Sequence, residues 1–170
     1  MDPSPVQQMC TTVDAFRDAL CTNRSSAQLL EFFSTSQAPI IQHTPADCVN
    51  PLGSRLVGLN AVRSYFDIQA THWKRDHIGL RGLPQLNPET RTAVLDASVV
   101  WVWRCSGRRW TEDVNCTITL DDDMKITSFI VRTESSPETC PWMAKDVSRD
   151  PDPWAKGGSR CSNRGSIAIL

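Results

Sequence analysis

The chain has 170 residues, of which 40% are hydrophobic and 22% charged, with a formal net charge of -1. That length supports one domain with a real core, and without a basic surplus nothing is set up to neutralise a nucleic-acid backbone. No apolar run approaches the ~20 residues of a membrane span, so neither nucleic acid nor a bilayer is an expected partner.

Residues 1–9 are polar and proline-bearing and read as a flexible arm. The opening Met1-Asp2-Pro3-Ser4-Pro5 has neither the basic nor the apolar part of a secretion leader. The expected location is therefore cytoplasmic, and the seven cysteines are expected as reduced thiols. They form no C-x-x-C pair and no metal-ligand rhythm with histidine, so no metal site is expected.

Thr12 through Leu20 suits a first helix, with Val13, Phe16, Ala19 and Leu20 on one side. Asn23 to Ser26 breaks it, and Ser25 or Ser26 can cap a short second helix from Ala27 to Phe33. A strand is expected over 39–44, and a loop from Pro45 to Leu56. Gly58-Leu59-Asn60 opens a third helix with Asn60 as its cap, and Val62, Tyr65, Phe66, Gln69 and Trp73 follow the helical period.

After Arg75-Asp76 the period switches to two. Strands are expected over 77–83, 91–105, 109–120 and 125–133, punctuated by turns at Asn87-Pro88, Ser106-Gly107 and Asp121-Asp122-Asp123-Met124. From Ser135 to residue 170 the composition turns to Pro, Gly, Ser and charge. That tail is expected to be disordered or loosely packed, with Trp142 and Trp154 as its large apolar groups.

The strand at 109–120 carries the most informative residue. Trp110, Val114, Cys116, Ile118 and Leu120 share one face, and Glu112 falls among them. A carboxylate on an apolar face costs several kcal/mol unless it is paired, neutralised or set in a wet cavity. Glu112 is therefore either a strand-end residue that escapes to solvent or a functional acid or base. On the neighbouring strand Leu95, Ala97, Val99, Trp101 and Trp103 form the bulkier apolar set and are assigned inward. Trp101 and Trp103 either fill the core or wall a pocket for a planar ligand.

The order of helices followed by antiparallel strands resembles the nuclear transport factor 2-like superfamily, which includes ketosteroid isomerase and SnoaL-like polyketide cyclases. The similarity is carried by the glycine-led helix Gly58-Leu59-Asn60-Ala61-Val62-Arg63-Ser64-Tyr65-Phe66, by Arg109-Trp110-Thr111-Glu112, and by the final hairpin Thr117 to Ile126. Where the family's turn has Asp-Gly before its Lys, this chain has Asp123-Met124. The resemblance covers residues 10–134. It implies an α+β fold in which a cone-shaped, curved mixed sheet wraps a pocket, with about three N-terminal helices.

Set in such a cone, Glu112, His43 and Arg132 are the candidate catalytic residues. Glu112 would move a proton, and His43, usable near neutrality, or Arg132 would polarise oxygen. Trp101, Trp103, Tyr65, Trp73 and His77 are the candidate substrate contacts. No G-x-G-x-x-G, Walker, G-x-S-x-G or H-E-x-x-H string occurs, so no cofactor is expected. The expected activity is that of an isomerase, cyclase or lyase on a hydrophobic polyketide-, terpenoid- or alkaloid-like substrate of secondary metabolism. The alternative is a non-catalytic ligand-binding or dimerisation module of the same fold. A homodimer through the outer sheet face is expected in either case.

Overall fold

The computed structural model describes residues 3–147. Three helices come first, at Pro5–Cys21 (α1), Ser26–Leu30 (α2) and Leu59–His72 (α3). The strands are Ile40–Pro45 (β1), Leu56–Val57 (β2), Trp73–Leu80 (β3), Gln85–Asn87 (β4), Thr92–Trp103 (β5), Arg109–Leu120 (β6) and Ile126–Thr133 (β7). They form a single curved, unclosed mixed sheet in the order β2-β1-β7-β6-β5-β3, with β4 paired to β5. β1 runs parallel to β7 and the other pairings are antiparallel. This is the α+β cone that the resemblance implies.

α1 begins earlier than its apolar spacing suggests. Ser4 caps it, accepting from the Gln7 backbone while the Gln7 side chain returns to the Ser4 N–H, and Pro5 occupies the first turn. The expected flexible arm over 1–9 is therefore helical from Pro5, and Met9 is fully buried. The polar start hid a capping box. α1 lays Met9, Val13, Phe16 and Leu20 on the sheet, where Phe16 meets Phe33 and Phe129 edge-on at 5.8 and 5.2 Å.

α3 starts two residues sooner than the expected cap allows. Gly58, at φ 97°, is its cap in place of Asn60, a backbone conformation open to glycine alone at little cost. Met124 takes the left-handed position in the β6–β7 turn at φ 57°, where the family has glycine. Asp121 ties that turn by accepting from the backbone N–H groups of Asp123 and Lys125.

Two β-bulges decide which side chains face inward. In β3 the register shifts between Arg75 and His77, so Arg75 opposes Trp101 and His77 opposes Val100. The extra residue turns Trp73 and Arg75 inward, then Ile78 and Leu80, while His77 is exposed. At the start of β7 the register shifts again, beside Leu120. Ile126, Phe129, Val131 and Thr133 are buried and Arg132 is exposed.

Beyond β7 the tail docks for part of its length. A short 3-10 turn at Pro137–Thr139 leads to a fully buried Cys140 and a half-buried Trp142. The Trp110 indole N–H donates to the Thr139 carbonyl at 2.8 Å, and Ser135 caps the Asp113 backbone. The expected disorder is thus replaced by packing over 135–147, because Trp142 finds an aromatic floor. Trp154 and the tail from residue 148 lie outside the described residues. Cys10, Cys21, Cys48, Cys116 and Cys140 are free thiols. Cys105 departs from the expectation of reduced thiols, being disulfide-bonded.

Candidate active site

A cavity of about 70 Å³ lies between α1 and the concave face of the sheet. Its walls are mostly carbon, from Phe16, Leu20, Leu95, Val99, Ile118 and Phe129 among others. Four polar side chains reach it from the sheet and α3, His43, Tyr65, Arg75 and Glu112, and Arg17, paired with Asp14 and Asp18, lines it from α1.

Glu112 is 0% exposed, on the inward face of β6 as the alternation indicates. Its carboxylate accepts three side-chain hydrogen bonds. Trp101 Nε1 donates to Oε2 at 2.8 Å, Thr133 Oγ1 donates to Oε1 at 2.5 Å, and His43 Nε2 lies 2.8 Å from Oε1. Two donors come from strands paired to β6, Trp101 from β5 and Thr133 from β7, and His43 comes from β1, one strand beyond β7. The resolution of the misplaced carboxylate is therefore pairing inside the cone, not escape to solvent.

The chain of contacts runs on through the imidazole. His43 Nδ1 lies 2.9 Å from the Tyr65 hydroxyl. Trp101 can only donate and the carboxylate only accepts, so the consistent assignment gives His43 a proton on Nε2, with Tyr65 donating to Nδ1. Burial pushes the Tyr65 phenol far above its ordinary value of 10.0, so it stays protonated and can serve as a hydrogen-bond donor. Trp142 packs over this group, its ring 5.3 Å from Tyr65, 5.5 Å from Trp73 and 6.3 Å from His43.

The expected site residues divide clearly. Glu112, His43, Tyr65 and Trp101 line the cavity. Trp73 and Trp103 stand behind that wall, 5.5 Å apart, with Trp73 6.4 Å from Trp101. Arg132 is corrected outward by the β7 bulge and His77 by the β3 bulge; both are exposed. Arg75 was hidden from sequence reading, because Arg75-Asp76 looked like the break before the strand. Its guanidinium lies 4.9 Å over the Trp101 ring and donates to Gln69 Oε1. Burial holds it below its ordinary value.

His43, Glu112 and Cys140 also offer ligand atoms within 4.8 Å of one another. Burial pushes the Cys140 thiol up to about 11, and both His43 ring nitrogens already have partners. The trio therefore fits a hydrogen-bonded network better than a cation cage, which needs thiolate and a free imidazole nitrogen.

No family profile matches the chain and no curated protein matches it in sequence. Solved structures do match in shape. BvnE pinacolase from Penicillium brevicompactum superposes with a TM-score of 0.64 at 12% identity, over 78% of this chain and 89% of that one. The epoxide hydrolase/cyclase-like enzyme SalBIII, described for pyran ring formation in the polyether salinomycin, gives 0.62 at 16% identity, over 78% and 95%. The chain therefore has the SnoaL-like, cone-shaped fold of the nuclear transport factor 2-like superfamily.

Proposed function

We propose that the chain is a cofactor-independent small-molecule enzyme, an isomerase, cyclase or lyase, that works by acid/base chemistry on a hydrophobic substrate of the polyketide, terpenoid or alkaloid kind. The observation that carries this reading is a wholly buried Glu112, hydrogen-bonded to His43, in the wall of a cavity otherwise lined by carbon. Glu112 takes a proton from the substrate. His43, Thr133 and Trp101 hold its carboxylate in place and balance its charge as it changes. Tyr65, protonated, donates to His43 Nδ1 and so keeps the imidazole in the tautomer that donates to Glu112. The structures similar in shape include a pinacolase and an enzyme described for pyran ring formation, reactions of the same broad kind. A non-catalytic module would have its core plugged by Trp101 and Trp103. Here Trp101 lines open space and four polar groups converge on it, which supports the enzyme.

The test is turnover without added cofactor, on a panel of hydrophobic ketones, β-dicarbonyls and epoxides. Glu112→Gln keeps the shape and removes the titratable group, so kcat should fall about 10²–10⁴-fold with KM little changed. A variant that turns over at the full rate overturns the proposal.

A further inference from the structure

We infer that Arg75, Gln69 and the face of Trp101 form a subsite for an anionic oxygen group, so that the substrate is a hydrophobic molecule bearing a carboxylate or an equivalent oxyanion. This rests on the cavity being the substrate site.

The cavity holds a cation without an ion-pair partner, although Glu112 attracts it across the cavity. Arg75 brings a guanidinium into a space lined mostly by carbon, and among the described residues no carboxylate lies within ion-pairing distance of it. Other arginines of the chain have such partners: Arg17 pairs with Asp14 and Asp18, Arg81 with Glu134, and Arg109 with Asp76. A desolvated cation without a counter-ion is costly. Stacking over Trp101 offsets part of that cost, and the single bond to Gln69 Oε1 satisfies one of five N–H donors.

A second observation points the same way. The hydrogen-bonded neighbour of the guanidinium adds a spare donor, not a spare acceptor. Gln69 spends its carbonyl on Arg75, and its buried amide Nε2 has no partner. A spare donor beside an unpaired cation calls for an acceptor with negative charge, and a planar carboxylate can take two parallel N–H bonds from the guanidinium fork. Glu112 is not that acceptor, because His43, Thr133 and Trp101 already occupy it. The subsite thus anchors the charged end of a ligand while the carbon walls take the rest.

Hexanoate and hexan-1-ol share a chain and differ in the charged end, so they are the probes. With binding followed by calorimetry and tryptophan fluorescence, the wild-type protein should bind hexanoate at least about tenfold more tightly, as expected for hydrogen bonds to a charged group. Arg75→Met should abolish the preference. Arg75→Lys, which keeps the charge but loses the planar stack, should reduce it without removing it. Arg109→Met should retain it, since Arg109 lies outside the cavity and is paired with Asp76. Equal binding of the two probes by the wild type overturns the inference, as does a preference that persists in Arg75→Met. Loss of turnover in Glu112→Gln with no preference for hexanoate would overturn this inference alone. A clear preference with full turnover in Glu112→Gln would overturn the functional reading alone.

Discussion

Three donors point at the carboxylate of Glu112, and the cost of losing it follows from what they would be left with. Glu112→Ala strands buried N–H and O–H groups, each at about 1–3 kcal/mol, so the variant should melt well below the wild type in a thermal scan. A small change would mean that water fills the gap. Tyr65→Phe is the gentler substitution. It keeps the ring against Trp142 and Phe66 and removes the hydroxyl that donates to His43 Nδ1. Turnover should drop at least tenfold with the fold intact by circular dichroism, and an unchanged rate would remove Tyr65 from the reaction.

The alternation of β6 is enough to show Glu112 inward, because one long regular strand keeps its parity. Arg75 and Arg132 are illegible for the opposite reason. Each depends on a bulge, where one inserted residue reverses which face the neighbours take. Composition alone carries no mark of that insertion.

At the scale of elements, the helices show what local pattern conveys. The apolar spacing of α1 and α3 is plain in the sequence, whereas their starts depend on caps. Gly58 gives the clearest prediction. At φ 97° and ψ 160° a Cβ is strained whatever the space around it, and Gly58→Ala should cost about 1–3 kcal/mol. Equilibrium denaturation measures it directly. A neutral result would place the start of α3 elsewhere, and with it Tyr65.

The strands β6 and β7 and the segment beyond them also carry a pH prediction. Burial pushes the Cys116 thiol up to about 12 and the Cys140 thiol up to about 11, from an ordinary 9.0. An unfolded chain releases these protons near 9, while the folded chain keeps them until 11 or 12. Their contribution to stability is therefore whole below the unfolded value and is lost as pH rises through the folded ones. The denaturation midpoint should fall between about pH 8 and about pH 11. Replacing both thiols by alanine should flatten that fall, and an equal fall in the double variant would assign it to other groups.

For the whole molecule, the helices were legible from their apolar stripes and the five longer strands from the turn residues that bound them, whereas the cone followed from the resemblance and the short β2 and β4 gave no period of their own. The docking of 135–147 was not legible either, since a Pro- and Ser-rich stretch with one tryptophan gives no period. Ending the chain after Glu134 should uncover Tyr65 and Trp73, lower the melting temperature and raise fluorescence quenching by iodide. A truncated protein with the quenching of the full chain would mean that Trp142 does not cover the site. We propose, in addition, a homodimer through the outer sheet face around Val100. Sedimentation at micromolar concentration should show a dimer, and Val100→Glu a monomer; a wild-type monomer contradicts it.

The central claim is that Glu112 moves a proton within the cavity. It is tested most directly by following deuterium from solvent into the acidic carbon of a hydrophobic β-dicarbonyl by proton NMR. The account predicts that the protein accelerates the exchange, that Glu112→Gln loses about 10²–10⁴-fold of the acceleration, and that Arg132→Ala, altered only on the outer face, exchanges like the wild type. Exchange in Glu112→Gln at the wild-type rate would contradict the account.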